Sequence, residues 1–392
     1  MEDQNKSEHQ FIPGHHEAEI CHGGEADLHK HCVDCKKNPG HIDFIPVNDI
    51  NMDHLPSKYR DAAVLESIKT LSALTVMLKV KYTSTERPDS VHLFSGQYPF
   101  FNNRGSDVLR TGTGRVWHVD KYTEKDNKGT CPCDKCQHSD TPSKVWGEFQ
   151  VLTASHVVFD ESEVRETKCI FGYDQNDSEV KTLQGCKLLD ADSQKDWCRF
   201  TCATCDMTLV EEQLKMSSYF MELSRILQRQ FSSIEDDTMA IIVSHPHGCP
   251  KQVTIGKLKT ELKRKGYRTL YNGEKYDWTY TKYTYTTPTC NGSSGATVYA
   301  PFSDLRCILW HPHSGANETE SYCGEDAWFS LDCGCEIGYE QRKKFCTPTL
   351  HVDREDATNL LKRYSFERPA FGSEESKAKK SKTSKEKRRN EN

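Results

Sequence analysis

From about residue 65 to residue 350 the chain is a succession of short strand-prone runs separated by turns, the pattern that most limits how it can fold. Thr75–Tyr82 alternates like a half-buried strand, and Gly112–Val119 reads as a strand entered through glycines. Val145–Val158, Lys168–Tyr173, Cys186–Leu189 and Trp197–Cys202 follow, then Met239–Val243, Lys251–Lys257, Trp278–Thr286, Ala296–Tyr299 and Arg306–Trp310. Helical spacing interrupts them at Asp61–Ser72 and in the long amphipathic run Leu209–Phe231. Strands this short, without a repeat of fixed period, bury their apolar faces by closing into barrels or stacking as a sandwich. The expected class is all-β.

At 392 residues the chain can enclose one large core or two ordinary ones. Residues 1–60 form a polar segment rich in His and Cys, read as a metal-stabilised element or an unstructured leader. Residues 351–371 read as a C-terminal helical segment, and 372–392 as a disordered basic tail with no means of forming a core. The formal net charge is −6; from Lys377 onward eight Lys/Arg face Glu386 and Glu391, a tail of +6, which leaves −12 elsewhere. An acidic body is not an obvious nucleic-acid binder, so nucleic acid is a partner only through the tail. Met1–Gln10 is polar with no apolar run behind it, and Leu71–Val80 is too short to span a bilayer. The expectation is a cytoplasmic or nuclear protein without membrane association. There, eighteen cysteines in close spacings suit metal thiolates or buried thiols better than disulfides.

Two segments carry chemistry. Val151-Leu152-Thr153-Ala154-Ser155-His156 sets a histidine at the end of an apolar run, and Cys290-Asn291-Gly292-Ser293-Ser294-Gly295-Ala296 sets a serine between glycines on a tight turn. Nucleophilic serine chemistry needs a hydroxyl beside backbone N–H groups that can hold an oxyanion, and an imidazole to take the proton. Taken singly, each segment reads as ordinary structure, a turn serine and a strand-end histidine.

Together they resemble the chymotrypsin-type (trypsin-like) serine proteases. Thr153-Ala154-Ser155-His156 is similar to the family's Thr-Ala-Ala-His signature. Cys290-Asn291-Gly292-Ser293-Ser294-Gly295 is similar to its Cys-x-Gly-Asp-Ser-Gly signature, with Ser293 in place of aspartate. Gly112-Thr113-Gly114 before Val116 resembles the glycine-led strand that precedes the family's histidine. The resemblance implies two six-stranded antiparallel β-barrels with a helical insertion and Cys-rich loops. The protease domain would span residues 61–350, with a first barrel at about 70–205, the insertion at 208–231 and a second barrel at about 232–350. It also implies a serine endopeptidase acting on a protein or peptide substrate.

The family's order of His, Asp, Ser points to Asp237, which abuts the strand Met239–Val243, with Asp236 as the alternative. The catalytic set is then His156, Asp237 and Ser294, with the N–H groups of Gly292 and Ser294 as oxyanion hole. The aspartate missing at Ser293 implies that no ion pair to a newly released N-terminus organises the hole. His313-Ser314-Gly315 resembles the pocket stretch of glutamyl endopeptidases, which implies hydrogen bonding to Glu or Gln at the cleavage site. A loop-tip or zinc-liganding histidine is the other reading. Pro288 stands where trypsin carries its pocket aspartate, so strong Lys/Arg preference is not expected.

Cys131, Cys133, Cys136 and His138 offer tetrahedral zinc three thiolates and an imidazole, with one ligand open to replacement from elsewhere. Cys198, Cys202 and Cys205 form a second set, with Cys186 or Cys169 as further members or some of them as buried thiols. Cys32 and Cys35 with Cys21, His22, His29 or His31 are a third, and Cys333, Cys335, Cys323 and Cys346 a fourth. Structural zinc is the expected cofactor, with none needed for catalysis. The competing function is an inactive protease-fold, zinc-stabilised binding or scaffold protein.

Overall fold

The computed structural model describes residues 15–90, 97–231, 238–269, 275–300, 312–316, 321–323 and 326–329. The expected strand Arg306–Trp310, the fourth cysteine set apart from Cys323, and the C-terminal segments lie outside them. In chain order the strands are β1 (His15–His16), β2 (Glu19–Cys21), β3 (Ile45–Pro46), β4 (Thr75–Val80), β5 (Leu109–Tyr122), β6 (Trp146–Thr153), β7 (Thr167–Phe171) and β8 (Lys181–Asp192). There follow β9 (Trp197–Thr204), β10 (Met239–Ser244), β11 (Gln252–Thr269), β12 (Lys275–Tyr285), β13 (Val298–Tyr299), β14 (His313–Ala316), β15 (Ser321–Cys323) and β16 (Asp326–Phe329).

Six of these close into an antiparallel barrel in the order β5-β4-β7-β8-β9-β6, with β6 pairing back onto β5, and β2 adds to the outside of β5. Register shifts at Val116/His118 and along β8–β9 supply the local bends that closure requires. Phe149, Val151, Cys169, Cys198, Phe200 and Cys202 are fully buried in it. Gly114 leaves space here, since a Cβ would lie 2.9 Å from Val151 Cγ1.

The second unit departs from expectation. Its strands run β1-β14-β15-β12-β11-β10-β13, with β3 on β11 and β16 on β12, and the described residues form an open sheet instead of a second barrel. Here β11 and β12 pair from Leu258/Tyr285 out to Thr269/Lys275, with β16 along Trp278–Thr281 of β12, and β1 and β13 stand at opposite ends of the described strand order. Ala240, Ile242, Tyr283, Tyr285, Ala296 and Val298 form the buried cluster on this sheet.

The helical run also has a structural role beyond insertion. The helix Met207–Gln230, capped by Asp206, sets Val210 against β6, where a Cβ on Gly147 would come within 2.4 Å of it. It then carries Phe220 to within 5.2 Å of the Tyr299 ring on β13. One amphipathic helix thereby packs on both sheets. The helix Ala62–Leu74 begins at Asp61, whose carboxylate accepts from the Ala63 N–H at 2.7 Å, and buries Ile68 and Leu71. From His15 onward the N-terminal segment is built into the fold: β1 joins the open sheet, β2 the barrel and β3 the start of β11. Among the described residues no helix is long and apolar enough to cross a membrane.

Candidate active site

The strand β6 ends at Thr153, and the chain turns through Ala154–His156, with Val157 and Val158 N–H groups closing onto the Ala154 carbonyl. His156 is fully buried. Its Nδ1 lies 2.8 Å from Asp196 Oδ2 and 2.9 Å from Oδ1, and its backbone N–H donates to Oδ1 at 3.0 Å. The carboxylate therefore fixes both the ring and the turn that carries it. Asp196 sits in the β8–β9 hairpin at φ 59, a left-handed conformation that a non-glycine residue adopts at a cost. Burial opposes its charge, but His156, then His16, and the Ser314 hydroxyl hold its pKa far below the usual carboxylate range.

Sequence reasoning missed Asp196. Asp236 and Asp237 lie outside the described residues, whereas the acid paired with His156 comes 40 residues after it. The signal was present but weak, an aspartate immediately before the strand Trp197–Thr204.

A buried ion cluster lies behind the histidine turn. Glu163 binds Arg87 Nε at 2.6 Å and Nη2 at 2.7 Å, and Arg110 Nη2 at 2.9 Å, all with side chains fully buried. Arg87 Nη2 also donates to the His156 carbonyl at 3.1 Å. Burial raises the Glu163 pKa, but Arg110 and Arg87 together keep it below its ordinary value. Glu163→Gln leaves two buried guanidinium ions without their counter-charge. The expected cost is about 3–5 kcal/mol, read as a lowered denaturant midpoint; a midpoint unchanged from wild type would remove the cluster from the account of His156.

Gly292 (φ 90) and Gly295 (φ 87) bracket the serine turn. A Cβ at Gly292 would lie 2.5 Å from the His245 carbonyl, and one at Gly295 2.0 Å from the Thr113 carbonyl, so only glycine fits at either position. The glycine-led β5 supports this turn directly: Thr113 N–H donates to the Ser294 carbonyl at 2.8 Å and its hydroxyl to the Gly292 carbonyl at 2.8 Å. Ser293 Oγ accepts from Cys290 N–H at 3.2 Å and meets Ser244 Oγ at 3.1 Å. Neutral hydroxyl contacts thus brace the turn at the position where the family carries a charge.

The cleft beside Ser294 is filled by the chain's own His15–Glu17. His15 and His16 pair antiparallel with Ala316 and Gly315 on β14. Glu17 N–H points at the Ser314 carbonyl at 3.3 Å and at Ser294 Oγ at 3.1 Å. The Glu17 carbonyl accepts from Gly292 N–H at 2.6 Å and Ser294 N–H at 3.4 Å, the two groups expected to hold an oxyanion. Its carboxylate meets His313 Nε2 at 2.7 Å and also Lys37 Nζ, which in turn reaches Thr289 Oγ1 at 3.2 Å.

His313 is buried, with Nδ1 2.6 Å from the Tyr285 hydroxyl, so Tyr285 donates to Nδ1 and Nε2–H faces the acid. Burial pushes the pKa of this imidazole down even against the neighbouring Glu17 carboxylate. Burial also works against the Glu17 charge, but His313 and Lys37 outweigh it and hold its pKa at about 2.

His313, Ser314 and Gly315 therefore take three separate parts here: side-chain contact, carbonyl acceptor and strand partner. Ser314 Oγ also donates to Asp196. Ser294 Oγ donates to the Ser314 carbonyl at 3.2 Å, and His156 Nε2 is buried with no hydrogen-bond partner. Ser294 and His156 are thus brought to one cleft without a direct bond, a looser geometry than a reacting serine–histidine pair needs.

Among the described residues, two groups of side chains that could ligate a metal stand apart from His156 and Asp196. Cys131, Cys133 and Cys136 place their Sγ atoms within 4.8 Å of one another. Cys205 packs against the same cluster. His138 turns away, its Nδ1 on the Asp134 carbonyl at 2.8 Å. Cys198, Cys202 and Cys205 are not brought together as a ligating group among the described residues: the first two are fully buried barrel thiols.

The other group, Cys35, His41, His247 and Cys290, was not foreseen as a set. Cys35 and Cys290 Sγ atoms are 3.5 Å apart, and His41 Nε2 is 3.4 Å from Cys290 Sγ. Tetrahedral ligation with bonds of about 2.3 Å to sulfur and about 2.0 Å to nitrogen requires separations of about 3.5–3.8 Å. His247 Nε2 is buried without a hydrogen-bond partner, while its Nδ1 is held by Glu19 at 2.7 Å and His41 Nδ1 by Cys32 at 3.1 Å. Oriented imidazoles of this kind are the usual outer support of a metal site. Both clusters could hold a metal such as zinc.

No protein-family model matches the chain, and no curated protein matches it. Solved structures do. The Rv3671c protease from M. tuberculosis in its active form is 11% identical, with a TM-score of 0.33, covering 67% of this chain and 82% of that one. Deg5 is 11% identical at a TM-score of 0.34, covering 68% and 90%. The HtrA-type protease AlgW with a tripeptide is 11% identical at 0.31, covering 66% and 58%. These are distant likenesses of fold to trypsin-like serine proteases.

Proposed function

We propose that the chain is a serine endopeptidase in which Ser294 is the nucleophile, His156 the general base and Asp196 the acid that orients it. One observation carries this reading: a peptide carbonyl rests on the N–H groups of Gly292 and Ser294, beside a histidine whose Nδ1 is locked by Asp196. Asp196 holds the proton on Nδ1, which leaves Nε2 as the lone pair that can accept from Ser294 Oγ. The paired N–H groups stabilise the oxyanion without reorganising, because glycine geometry has already set them. Cleavage after an acidic residue belongs to the same proposal, supported by the Glu17 carboxylate on His313 and Lys37. Structural zinc at the two Cys/His clusters is its cofactor component, supported by their donor sets.

The second reading, an inactive protease-fold scaffold stapled by metal, has one observation in its favour, the Ser294 hydroxyl directed to the Ser314 carbonyl and away from His156. A fluorophosphonate probe separates the two. The enzyme reading expects stoichiometric labelling of metal-replete wild type and none of Ser294→Ala, with peptide hydrolysis down about 10⁶-fold. Folded, metal-replete wild type that takes no label would favour the scaffold.

A further inference from the structure

The residues that fill the cleft lie in the register of a substrate. The chain approaches antiparallel to β14, the Glu17 carbonyl enters the hole formed by Gly292 and Ser294, and the Glu17 side chain enters the pocket at His313. Beyond Ala18 the chain continues as β2 along β5, Glu19 opposite Thr111, Ile20 opposite Arg110 and Cys21 opposite Leu109. The peptide bond presented to Ser294 is therefore Glu17–Ala18. We propose that this bond is a cleavage site of the chain's own active site, an inference that rests on the endopeptidase reading above.

The step balances as ordinary peptide hydrolysis. Ser294 Oγ bonds to the Glu17 carbonyl carbon as its proton passes to His156 Nε2, and the carbonyl electron pair moves onto the oxygen held by Gly292 and Ser294 N–H. Collapse breaks the bond to Ala18 nitrogen, which takes the proton from His156. Water, giving its proton to His156, then attacks the Glu17 acyl ester. The products are a Glu17 carboxylate, a free Ala18 amine and regenerated Ser294.

The two sides of the cut are held unequally. Upstream, among the described residues, the pairs His15/Ala316 and His16/Gly315, the His16 ring beside His156 and Asp196, and the Glu17 pocket hold the segment. Downstream, Glu19 binds His31 at 2.6 Å and His247 at 2.7 Å, and Cys35 and His41 meet His247 and Cys290 in the metal-ligating cluster. Cleavage thus releases the upstream peptide and exposes the β14 edge and the acid pocket to other chains. The new end at Ala18 stays on the barrel.

Intact mass and N-terminal sequencing of the purified full chain test this. Wild type should convert to a species beginning at Ala18 with release of the peptide 1–17, and Ser294→Ala should remain joined at that bond. Glu17→Ala should slow the cut by at least about 100-fold, because the pocket donors lose their partner, while the protein still takes the fluorophosphonate label. A synthetic peptide of residues 12–22 should be cut by the processed enzyme after Glu17 and not after Glu19. Wild type that labels fully and hydrolyses that peptide but keeps Glu17 joined to Ala18 would overturn self-cleavage and leave the endopeptidase reading standing. Wild type that neither labels nor cuts would overturn both.

Discussion

Asp196→Asn should lower kcat/KM for peptide hydrolysis about 10⁴-fold while the protein remains folded. An asparagine in that position can turn its amide N–H toward His156 Nδ1, which moves the ring proton to Nε2 and removes the acceptor that Ser294 needs. The carboxylate also accepts the His156 backbone N–H at 3.0 Å and the Ser155 hydroxyl at 3.1 Å, and an amide oxygen preserves at least part of that bracing. The loss should therefore fall on kcat far more than on stability, a separation that thermal unfolding beside steady-state kinetics resolves. Asp237→Asn serves as the comparison and, with Asp196 as the acid, should stay within about threefold of wild type. An Asp196→Asn enzyme within tenfold of wild type, or an equal loss at Asp237, would return the acid role to the residue that the chain order suggests.

Removal of metal should have the second large effect. The cluster of Cys35, His41, His247 and Cys290 joins the N-terminal segment to the turn that carries the nucleophile, since Cys290 N–H is bonded to Ser293 Oγ. Chelation leaves buried thiols and imidazoles crowded without the ion that reconciles them. The expected loss is about 5 kcal/mol, or about 10–20 °C in Tm, smaller than the full binding energy of a structural zinc because the sheets keep their own cores. Elemental analysis should give one equivalent fewer in Cys290→Ser and, independently, one fewer in Cys133→Ser. Protein purified without chelator that carries no zinc, with Tm indifferent to added metal, would remove the metal from the proposal.

Much of the site was legible in one dimension because its pieces are local. Thr153–His156 ends a strand in a turn and Gly292 and Gly295 flank a serine where no Cβ fits, so the two segments stand out locally, while it took their joint family resemblance to name His156, Ser294 and Gly292 as candidates. His313-Ser314-Gly315 was singled out by resemblance alone. Asp196 was not. Its flank, Lys195-Asp196-Trp197, has the look of a solvated hairpin, and only the β8–β9 pairing and a left-handed turn carry the carboxylate inward to 2.8 Å from His156.

The sequence by itself determined the strand-rich class and the two turns that hold His156 and Ser294, since period-two patterning and glycine sterics act over a few residues, and the closed first barrel was an implication of the family resemblance. Tertiary structure alone decided three things. Among the described residues it left the second sheet open, with β11 and β12 paired far beyond their shared core. It joined Cys35 and His41 to His247 and Cys290, and packed Cys205 against Cys131 and Cys136, contacts across distances over which spacing carries no information. It also threaded His15–Glu17 into the cleft, where a polar, leader-like stretch becomes the ligand of its own pocket. A carboxylate finds its donors by position in space, and nothing around Glu17 in the chain announces His313 or Lys37.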